Sequence, residues 1–473
     1  MRAFSSAVIA LAIFLPAGAS ARTAAASDFF PVCTKLSGAA GKSLTVDPQG
    51  HGTGTYPNIS AAIKAAKPGD TVALMSGDYG EFTLTGVNQG GFITLAAAPG
   101  QTPRFSRIAI GTPRDRASHW RLSGLTVSGF SNAGRFGNGS IIHRGMVAIG
   151  NSDNIVFDGN ILNSKAGQIA WKSEEEAFAA NETLSGGVSV NQGSCISISA
   201  NHITNVFNAI MIGGDPNTDN GKYYAVSDNV IDDFAGDGID HFGSHVRIER
   251  NQITNGHDIC EGKCVHMDGI QGWNWNNRPG LLNVDVVIDG NRIIAQTRPV
   301  LTLPAGTLQG ITVFDGHWDG FQVFNNLVIA TAWHGITIAG AKNLSIVNNT
   351  LANISTDPRR TSWIKFAAYK NDPPDTDYNV VMRNNVTPFQ GTDRRDMAYG
   401  NVVIDHNLIL KNPDDYEDNF VKFDRENFAF DLHPTKRSDA TGEGASEGAP
   451  ATDIEGHSRK GAIDIGAFAY KDG

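Results

Sequence analysis

The sequence predicts an all-β fold, a parallel β-helix solenoid, and three observations lead to this prediction. Short strands with alternating apolar residues recur from about residue 154 to residue 409, and an asparagine follows each of them. The chain has 53 glycines among 473 residues and only 18% charged residues, a globular composition rich in turn formers. Period-2 strands at a near-fixed spacing indicate coils that stack on one another and bury a shared core.

The first 21 residues predict a secretory signal. Arg2 precedes an apolar run from Ala7 to Leu15, and the small residues Ala19 to Ala21 follow it. The apolar run is too short to span a bilayer. We therefore expect a mature chain of residues 22–473 that is secreted or periplasmic, has no membrane span and forms a single domain.

The charge of the chain argues against nucleic acid as a partner. The formal net charge is −10, and no cluster of five or more basic residues occurs in the sequence. We expect a monomer.

Four cysteines are compatible with disulfides in an exported protein. Cys260 and Cys264 are close enough in sequence to close a small loop, which leaves Cys33 and Cys195 as a second pair. Zinc is the alternative, because two histidines flank Cys260 and Cys264. The spacing matches no standard structural zinc pattern, so disulfides are favoured.

The recurrent asparagine marks a turn in every coil. The asparagines are Asn160, Asn201, Asn229, Asn251, Asn291, Asn326, Asn349, Asn385 and Asn407. Asparagine tolerates left-handed backbone angles, and its amide can hydrogen-bond to the same residue in the next coil. We therefore predict a ladder of asparagines along the axis of the solenoid.

Both ends of the chain resemble those of a known superfamily. Residues 44–82, "LTVDPQGHGTGTYPNISAAIKAAKPGDTVALMSGDYGEF", and the closing "GAIDIGAFAY" of residues 461–470 are similar to the ends of pectin-lyase-like right-handed β-helices. The resemblance implies a right-handed helix with an N-terminal cap at about 44–82, containing a helix over Asn58–Ala66. Coils would continue to about residue 410, followed by an irregular segment, 411–473. Lyases, hydrolases, epimerases and non-enzymes all use this fold.

A second strand in several coils predicts a functional face. Aligning the central isoleucines stacks Ile210, Ile239, Ile270, Ile311, Ile336 and Ile364 inward. Alternation then directs the next position outward, giving the row Met211, Asp240, Gln271, Thr312, Thr337 and Lys365. Leading these strands are Asp237, Asp268, Gln309 and His334, and two positions beyond the outward row lie Phe242, Trp273 and Phe314.

Three insertions leave from the same coils, at Gly256–Val265, Gly272–Asn283 and Ser355–Arg360. We expect them to form the walls of a groove for a polysaccharide, and the disulfide Cys260–Cys264 to present His266 beside Asp268. Aromatic rings stack on the apolar faces of sugars. The predicted substrate-binding residues are Gln271, Trp273, Trp275, Phe314 and Thr337.

The resemblance and the residue types together predict a lyase that cleaves an anionic, uronic-acid-containing polysaccharide by β-elimination. Lys365 or His266 would be the base, His334 would assist the leaving group, and Gln271 would pair with the substrate carboxylate. Because related β-helix lyases often use Ca²⁺, we also expect a calcium site. Its predicted ligands, which also count among the candidate catalytic residues, are Asp237, Asp240 and Asp268.

Three other functions remain open. "DGID", "MDGIQ", "WHGITIAG" and "WIKF" resemble degenerate polygalacturonase motifs, with Asp237 and Asp268 as acid or base and Lys365 as a carboxylate clamp. "DGIDHFG" resembles C5-epimerase motifs. A non-catalytic polysaccharide-binding β-helix would need the aromatic residues but not Lys365, His266 or Asp268.

Overall fold

The computed structural model describes residues 25–36, 41–50, 55–129, 133–135, 141–164, 183–213, 221–257, 267–273, 281–298, 307–370, 372–373, 376–392, 396–398 and 400–471. Three long parallel sheets, here called A, B and C, run through this part of the chain, and each coil contributes about one strand to each sheet. Strands are numbered along the chain. The predicted parallel β-solenoid is confirmed.

Sheet A has the longest strands. In spatial order they are β1 (Ser43–Val46), β2 (Thr71–Leu74), β6 (Ile93–Ala97), β9 (Ala117–Ser123), β14 (Ser152–Asp158), β17 (Gly193–Ser199), β20 (Lys222–Ser227), β23 (Ser244–Glu249), β26 (Leu282–Asp289), β29 (His317–Phe324), β32 (Ala341–Val347), β35 (Val380–Arg383) and β37 (Val402–Asp405), with β5 (Gly86–Val87) beside β9. Their inward residues, such as Ile155 and Phe157, are fully buried.

Sheet B follows sheet A after the asparagine turn. Its strands are β3 (Gly77–Asp78), β7 (Pro103–Phe105), β10 (Thr126–Ser128), β15 (Ile161–Asn163), β18 (His202–Val206), β21 (Val230–Phe234), β24 (Gln252–Gly256), β27 (Arg292–Ile294), β30 (Leu327–Ala330), β33 (Thr350–Asn353), β36 (Val386–Thr387) and β38 (Leu408–Ile409).

Sheet C carries the second strands of the sequence analysis. Its strands are β4 (Glu81–Leu84), β8 (Arg107–Ile110), β13 (Gly145–Ile149), β16 (Gly186–Val190), β19 (Ile210–Gly213), β22 (Ile239–Phe242), β25 (Met267–Trp273), β28 (Leu308–Asp315), β31 (His334–Ala339) and β34 (Trp363–Ala367). A small hairpin, β11 (Ala133–Arg135) and β12 (Ile141–His143), lies outside the three sheets.

The predicted asparagine ladder is confirmed over its whole length. In each step the side-chain N–H of one asparagine donates to the side-chain oxygen of the next, as from Asn291 to Asn326 and from Asn326 to Asn349, both at 3.0 Å. The residue with a positive φ is usually the one before the ladder asparagine, such as Asn325 at 51° or Asn348 at 55°. The ladder asparagine therefore satisfies buried backbone groups, and its predecessor makes the left-handed turn.

The N-terminal cap is also as predicted. Helix α1 is the short segment Ala26–Phe29, and helix α2 spans Ile59–Ala65 between Asn58 and Ala66. The Asn58 side chain accepts a hydrogen bond from the N–H of Ala61 at 2.9 Å, which caps the helix. Its buried residues, Ile59 and Ala62, join the continuous core of the solenoid.

The C-terminal segment differs from the prediction of an irregular stretch after residue 410. A 3-10 helix (Asp396–Ala398) precedes helix α3 (Pro413–Asn419) and the antiparallel hairpin β39 (Phe420–Asp424) and β40 (Ala429–Pro434). Tyr416 is buried, and its hydroxyl donates to the carbonyl of Leu351 at 2.6 Å. Tyr416, Phe420 and Phe423 are buried together at the end of the core, as the last element of a solenoid must cover it.

Two further observations concern the chain as a whole. Cys33 and Cys195 form a disulfide, as predicted. Cys260 and Cys264, like the signal segment 1–21, lie outside the described residues. No helix within the described ranges is long and apolar enough to cross a membrane.

Candidate active site

The register of sheet C places the candidate residues on one line. The predicted isoleucine ladder is confirmed: Ile239 pairs with Ile270, Ile270 with Ile311, and Ile311 with Ile336. The outward row is confirmed in the same way. In spatial order it contains Met211, Asp240, Gln271, Thr312, Thr337 and Lys365. Neighbouring members are one strand spacing, about 4.8 Å, apart.

The prediction that this row is an exposed face is wrong at its centre. Asp240 and Thr337 are 2% exposed, and Thr312 is fully buried. At Thr337 the cause is visible, because the indole N–H of Trp363 donates to its hydroxyl at 3.0 Å and the ring covers it. Alternation gives the side of the sheet to which a residue points, but it does not show what lies above that side.

Three carboxyl groups lie together near the centre of the row, and we call Asp237, Asp240 and Asp268 the carboxyl cluster. Asp240 belongs to the row, whereas Asp237 precedes β22 and Asp268 lies at the start of β25. Asp237 accepts a hydrogen bond from the backbone N–H of Asp268 at 2.8 Å. Asp240 accepts one from the side chain of Asn208 at 2.6 Å. Asn208 was not predicted as a site residue, although it leads its strand as Asp237 and Asp268 lead theirs.

Two side chains of the outward row orient Asp268. The Thr312 hydroxyl donates to one carboxylate oxygen at 2.7 Å, and the Gln271 amide donates to the other at 3.0 Å. Gln309, the predicted next leading residue, pairs with Asp268 in the strand register and is buried. Its side-chain oxygen has no hydrogen-bond partner within the described structure. The amide predicted to bind substrate, Gln271, therefore holds a carboxylate in this arrangement.

The electrostatics of the cluster favour protonated carboxyls. Burial, together with the charges of Asp240 and Asp268, raises the pKa of Asp237 well above its ordinary value. Burial raises the pKa of Asp240 to about 7, against the lowering effect of the hydrogen bond from Asn208. Asp237 remains partly exposed, whereas Asp268 is fully buried. Two adjacent buried carboxyls resist ionisation, so Asp237 and Asp240 keep their protons to a higher pH than exposed aspartates do.

The cluster does not fit a calcium ion in this arrangement. Within the described ranges, no group of three or more His, Cys, Asp or Glu side chains is arranged to hold a metal. Both oxygens of Asp268, one of Asp240 and one of Asp237 instead accept hydrogen bonds, from Thr312, Gln271, Asn208 and a backbone N–H, and the second oxygen of Asp240 has no partner within the described structure. Oxygens directed at such donors do not converge on a shared cation.

His334 belongs to a second, aromatic cluster. Its ring lies edge-on to Phe314, with centroids 4.8 Å apart, and edge-on to Trp363, at 5.0 Å. Its Nδ1 lies 3.0 Å from the hydroxyl of Thr337. The structure thus brings together three residues predicted as catalytic or substrate-binding: His334, Phe314 and Thr337. It adds Trp363, which leads β34 as His334 leads β31.

Lys365 lies apart from the carboxyl cluster. Three strand spacings, ~14 Å, separate it from Gln271 along the row. Its ammonium group is 3.8 Å from the carboxylate of Asp396, a residue that the sequence analysis did not single out. Lys365 and the carboxyl cluster cannot act on the same sugar unit in this arrangement, so they do not form one catalytic centre.

Of the other predicted site residues, one lies within the described part of the chain and two lie outside it. Trp273 is partly exposed and packs edge-on against Phe242, with ring centroids 5.5 Å apart, as their common side of sheet C suggested. His266 and Trp275 lie outside the described residues.

Comparison with known proteins agrees with this architecture. Residues 186–351 match the family model described as right handed beta helix region. The chain is a right-handed parallel β-helix. The resemblance noted from both termini is therefore confirmed at the level of the fold. No curated protein matches this sequence.

Several solved structures share the β-helix fold. PfbA, a surface adhesin of Streptococcus pneumoniae, is 12% identical over 74% of this chain and 84% of its own, with a TM-score of 0.50. Pectate lyase Pel9A is 14% identical over 92% and 98%, with a TM-score of 0.42. A mannuronic acid specific family 6 polysaccharide lyase from human gut microbiota is 14% identical over 82% and 89%, with a TM-score of 0.41. At this identity the similarity to PfbA supports the fold and no activity.

Proposed function

We propose that this β-helix is an exported enzyme that cleaves uronic-acid-containing polysaccharide by β-elimination at the carboxyl cluster. The observation that supports it is the burial of three carboxyl groups on one face, with the pKa values of Asp237 and Asp240 raised. A fold held by asparagine and isoleucine ladders gains nothing from such a cluster, since burying adjacent carboxyls lowers stability. Perturbed acids in one place are typical of active sites.

A protonated carboxyl of the enzyme does not repel the carboxylate of an anionic substrate. Neutral Asp240 can donate a hydrogen bond to the C6 carboxylate of a uronate, where an ionised aspartate would repel it. The same hydrogen bond strengthens as negative charge accumulates on that carboxylate in the transition state. This role replaces the one that we assigned to calcium from the sequence.

The elimination itself needs a base and an acid. In this proposal Asp268, which accepts hydrogen bonds from Thr312 and Gln271, removes the C5 proton as a carboxylate. Because Asp268 is fully buried, the side chains that cover it must move aside for the substrate. The electron pair of the C5–H bond forms the C4–C5 double bond as the C4–O4 bond breaks. The departing O4 takes a proton from Asp237, the partly exposed member of the cluster. His266, two residues before Asp268 in the chain, remains the alternative base.

The aromatic cluster and Lys365 take a binding role in this proposal. His334, Phe314 and Trp363 form an edge-to-face group beside Thr337, to which sugar rings can bind. Lys365 would attract a carboxylate several sugar units from the cleaved bond. This assignment moves Lys365 and His334 from the catalytic step to the positioning of the polymer.

Hydrolysis is the second candidate, because the cluster also satisfies its requirement for a protonated and an ionised carboxyl. Asp237 would then protonate the glycosidic oxygen, and Asp268 would activate a water molecule. The disulfide between Cys33 and Cys195 supports an oxidising compartment, and therefore export, under either reaction.

Incubation with a panel of uronate polysaccharides tests the proposal. Ultraviolet absorbance reports the unsaturated uronate that β-elimination makes, and a reducing-end assay reports either reaction. We expect absorbance to rise, calcium or chelator to have little effect, and the rate to fall as pH rises through about 7, where Asp240 loses its proton. New reducing ends without a rise in absorbance would establish hydrolysis. The absence of both signals would refute the proposed enzymatic function.

Matched variants locate the chemistry. Asp240→Asn and Asp268→Asn should each lower the rate by roughly 10²–10⁴. Asp78→Asn makes the same replacement at an exposed carboxylate on sheet B and should leave the rate unchanged. Thermal melts of all three proteins separate loss of chemistry from loss of folding. Full activity in Asp268→Asn would remove this residue from the mechanism.

A further inference from the structure

Gln309 occupies the rung of sheet C between the carboxyl cluster and the aromatic cluster. It pairs with Asp268 in the strand register. It also precedes Ile311 by two positions, as His334 precedes Ile336, the residue with which Ile311 pairs. Gln309 is therefore one strand spacing, about 4.8 Å, from a leading residue of each cluster. A polymer that lies across both clusters must pass over this side chain.

Glycines hold the leading residues in place. Gly310 follows Gln309, and a Cβ added at this glycine would lie 2.0 Å from the carbonyl oxygen of Gly335. In the same way, a Cβ added at Gly238 would lie 2.5 Å from the carbonyl oxygen of Gly269. Only glycine allows two backbones to approach this closely. The position of Gln309 is therefore set by the backbone, and it does not depend on what its side chain contacts.

The side chain of Gln309 is buried with an unpaired oxygen. Gln309 is 2% exposed, and its side-chain oxygen has no hydrogen-bond partner within the described structure. The ladder asparagines are equally buried, yet the oxygen of Asn326, for example, accepts hydrogen bonds from both the backbone and the side chain of Asn291. Burying an unpaired amide lowers stability, and an apolar side chain at this position would avoid the loss. The fold therefore gives no reason for a glutamine here.

A second unpaired oxygen lies on the other side of Asp268. One oxygen of Asp240 has no hydrogen-bond partner within the described structure. Asp240 belongs to the rung before that of Asp268, and Gln309 belongs to the rung after it. Asp240 and Gln309 are thus two strand spacings, about 10 Å, apart along the axis. A uronate ring also carries polar groups on opposite sides, because the C6 carboxylate is attached to C5 and the C2 hydroxyl lies across the ring from C5.

We propose that Gln309 is a substrate-binding residue whose side-chain oxygen accepts a hydrogen bond from a ring hydroxyl of the uronate bound at Asp268. A sugar hydroxyl suits this position because it can donate to the oxygen of an amide. With the sugar carboxylate at Asp240 and C5 at Asp268, the hydroxyl side of the ring is directed toward Gln309. The assignment rests on the proposed function. Because Gln309 adjoins Asp268, the movement that admits substrate to Asp268 also exposes Gln309.

Two measurements on Gln309→Met test the assignment, and the first is stability. Methionine removes the unpaired amide and keeps an unbranched side chain of similar length. Thermal melts should therefore show a Tm equal to that of the parent protein or higher. The matched control is Gln322→Met, which makes the same replacement at an exposed position on sheet A and should leave the Tm unchanged. A fall in Tm in Gln309→Met alone would mean that the amide serves the fold, and would overturn the assignment.

The second measurement is calorimetric titration with hexamers of galacturonate, mannuronate and guluronate. The titrated proteins carry Asp237→Asn, which removes the acid of the proposed reaction and suppresses turnover. Each hexamer is compared with a derivative whose ring hydroxyls are methylated and cannot donate a hydrogen bond. We expect Gln309→Met to weaken binding of the preferred hexamer by about tenfold or more and to leave binding of its methylated form unchanged. Gln322→Met should change neither affinity.

Three binding results would refute the assignment: unchanged binding in Gln309→Met, an equal loss of affinity for both forms of the hexamer, or a parent protein that binds no uronate hexamer. The proposed function is judged separately, in proteins that keep Asp237. If these make no unsaturated uronate while hexamer binding depends on Gln309, the elimination is wrong and the assignment stands. Elimination at the parent rate in Gln309→Met would refute the assignment and leave the elimination standing.

Discussion

His241 provides a test of how strongly the core of the solenoid excludes charge. It follows Asp240 on β22 and points inward, is fully buried, and lies edge-on to Trp318 with ring centroids 5.4 Å apart. Neither ring nitrogen has a hydrogen-bond partner within the described structure. Burial lowers its pKa from 6.5 to about 3, because the charged imidazolium would lose its hydration without gaining a partner.

The sign and size of the effect follow from linkage. Since the pKa is lower in the folded state, the unfolded chain binds more protons between pH 6.5 and 3, and stability falls as pH falls through this range. A shift from 6.5 to about 3 corresponds to a loss of about 2 kcal/mol at pH 5 relative to pH 8. Asp237 and Asp240 act in the opposite direction, because protonation favours their folded state.

Replacing His241 by leucine isolates this contribution. The other titrating groups are present in both proteins, so they cancel in the difference between the unfolding free energies of wild type and His241→Leu. We expect that difference to change by about 2 kcal/mol between pH 8 and pH 5 in favour of the variant. Urea unfolding at both pH values measures it, with His202→Leu, an exposed histidine on sheet B, as the control.

A difference that stays constant within about 0.5 kcal/mol would refute the reasoning. It would mean that the imidazole is already protonated in the folded state, or that its pKa in the fold is close to that of the unfolded chain. Equal slopes of free energy against urea in both proteins are needed for the comparison, because stacked coils can unfold in steps. A changed slope would call for comparison of the midpoints of corresponding transitions.

Two further predictions concern the framework. Asn326→Ala removes the acceptor of two hydrogen bonds from Asn291 and leaves buried donors and carbonyls unpaired. We therefore expect the free energy of unfolding in urea to fall by about 3 kcal/mol. A fall no larger than that caused by Asn427→Ala, at an exposed position, would contradict the structural role of the ladder. The disulfide between Cys33 and Cys195 spans 162 residues, so reduction should destabilise the wild type by up to about 5 kcal/mol. The double alanine variant should respond much less to reductant, and an equal response in both proteins would assign the effect to other cysteines.

The framework was predictable because its signals repeat. A strand period of two fixes the side of the sheet to which each residue points. A recurring residue type then aligns successive coils, although consecutive ladder asparagines are 22 to 41 residues apart, and isoleucine and asparagine both recur in this way. The stacks of Ile239 on Ile270 and of Asn291 on Asn326 follow directly from this regularity. Alternation also places His241 inside the core, one position after Asp240, although the sequence analysis considered only the outward residues around it.

The covering of the site could not be predicted in the same way. Thr312 and Asp240 are on the predicted side of sheet C, yet they are buried. What covers a sheet face depends on side chains and loops that carry no period, such as Trp363 over Thr337. The same limit applies to helix α3, whose buried Tyr416 belongs to a segment without repeats.

Position along the axis also decides which polar residues can cooperate. Residue type alone grouped Lys365 with the three aspartates, because a lyase needs a base and a carboxylate partner. In a β-helix, however, every outward residue is fixed to its rung, and a separation of three rungs places groups ~14 Å apart. Asn208 qualifies for the carboxyl cluster on this criterion and Lys365 does not, although lysine is the more reactive side chain. Candidate sites in solenoids should therefore be assembled from adjacent rungs first and from residue chemistry second.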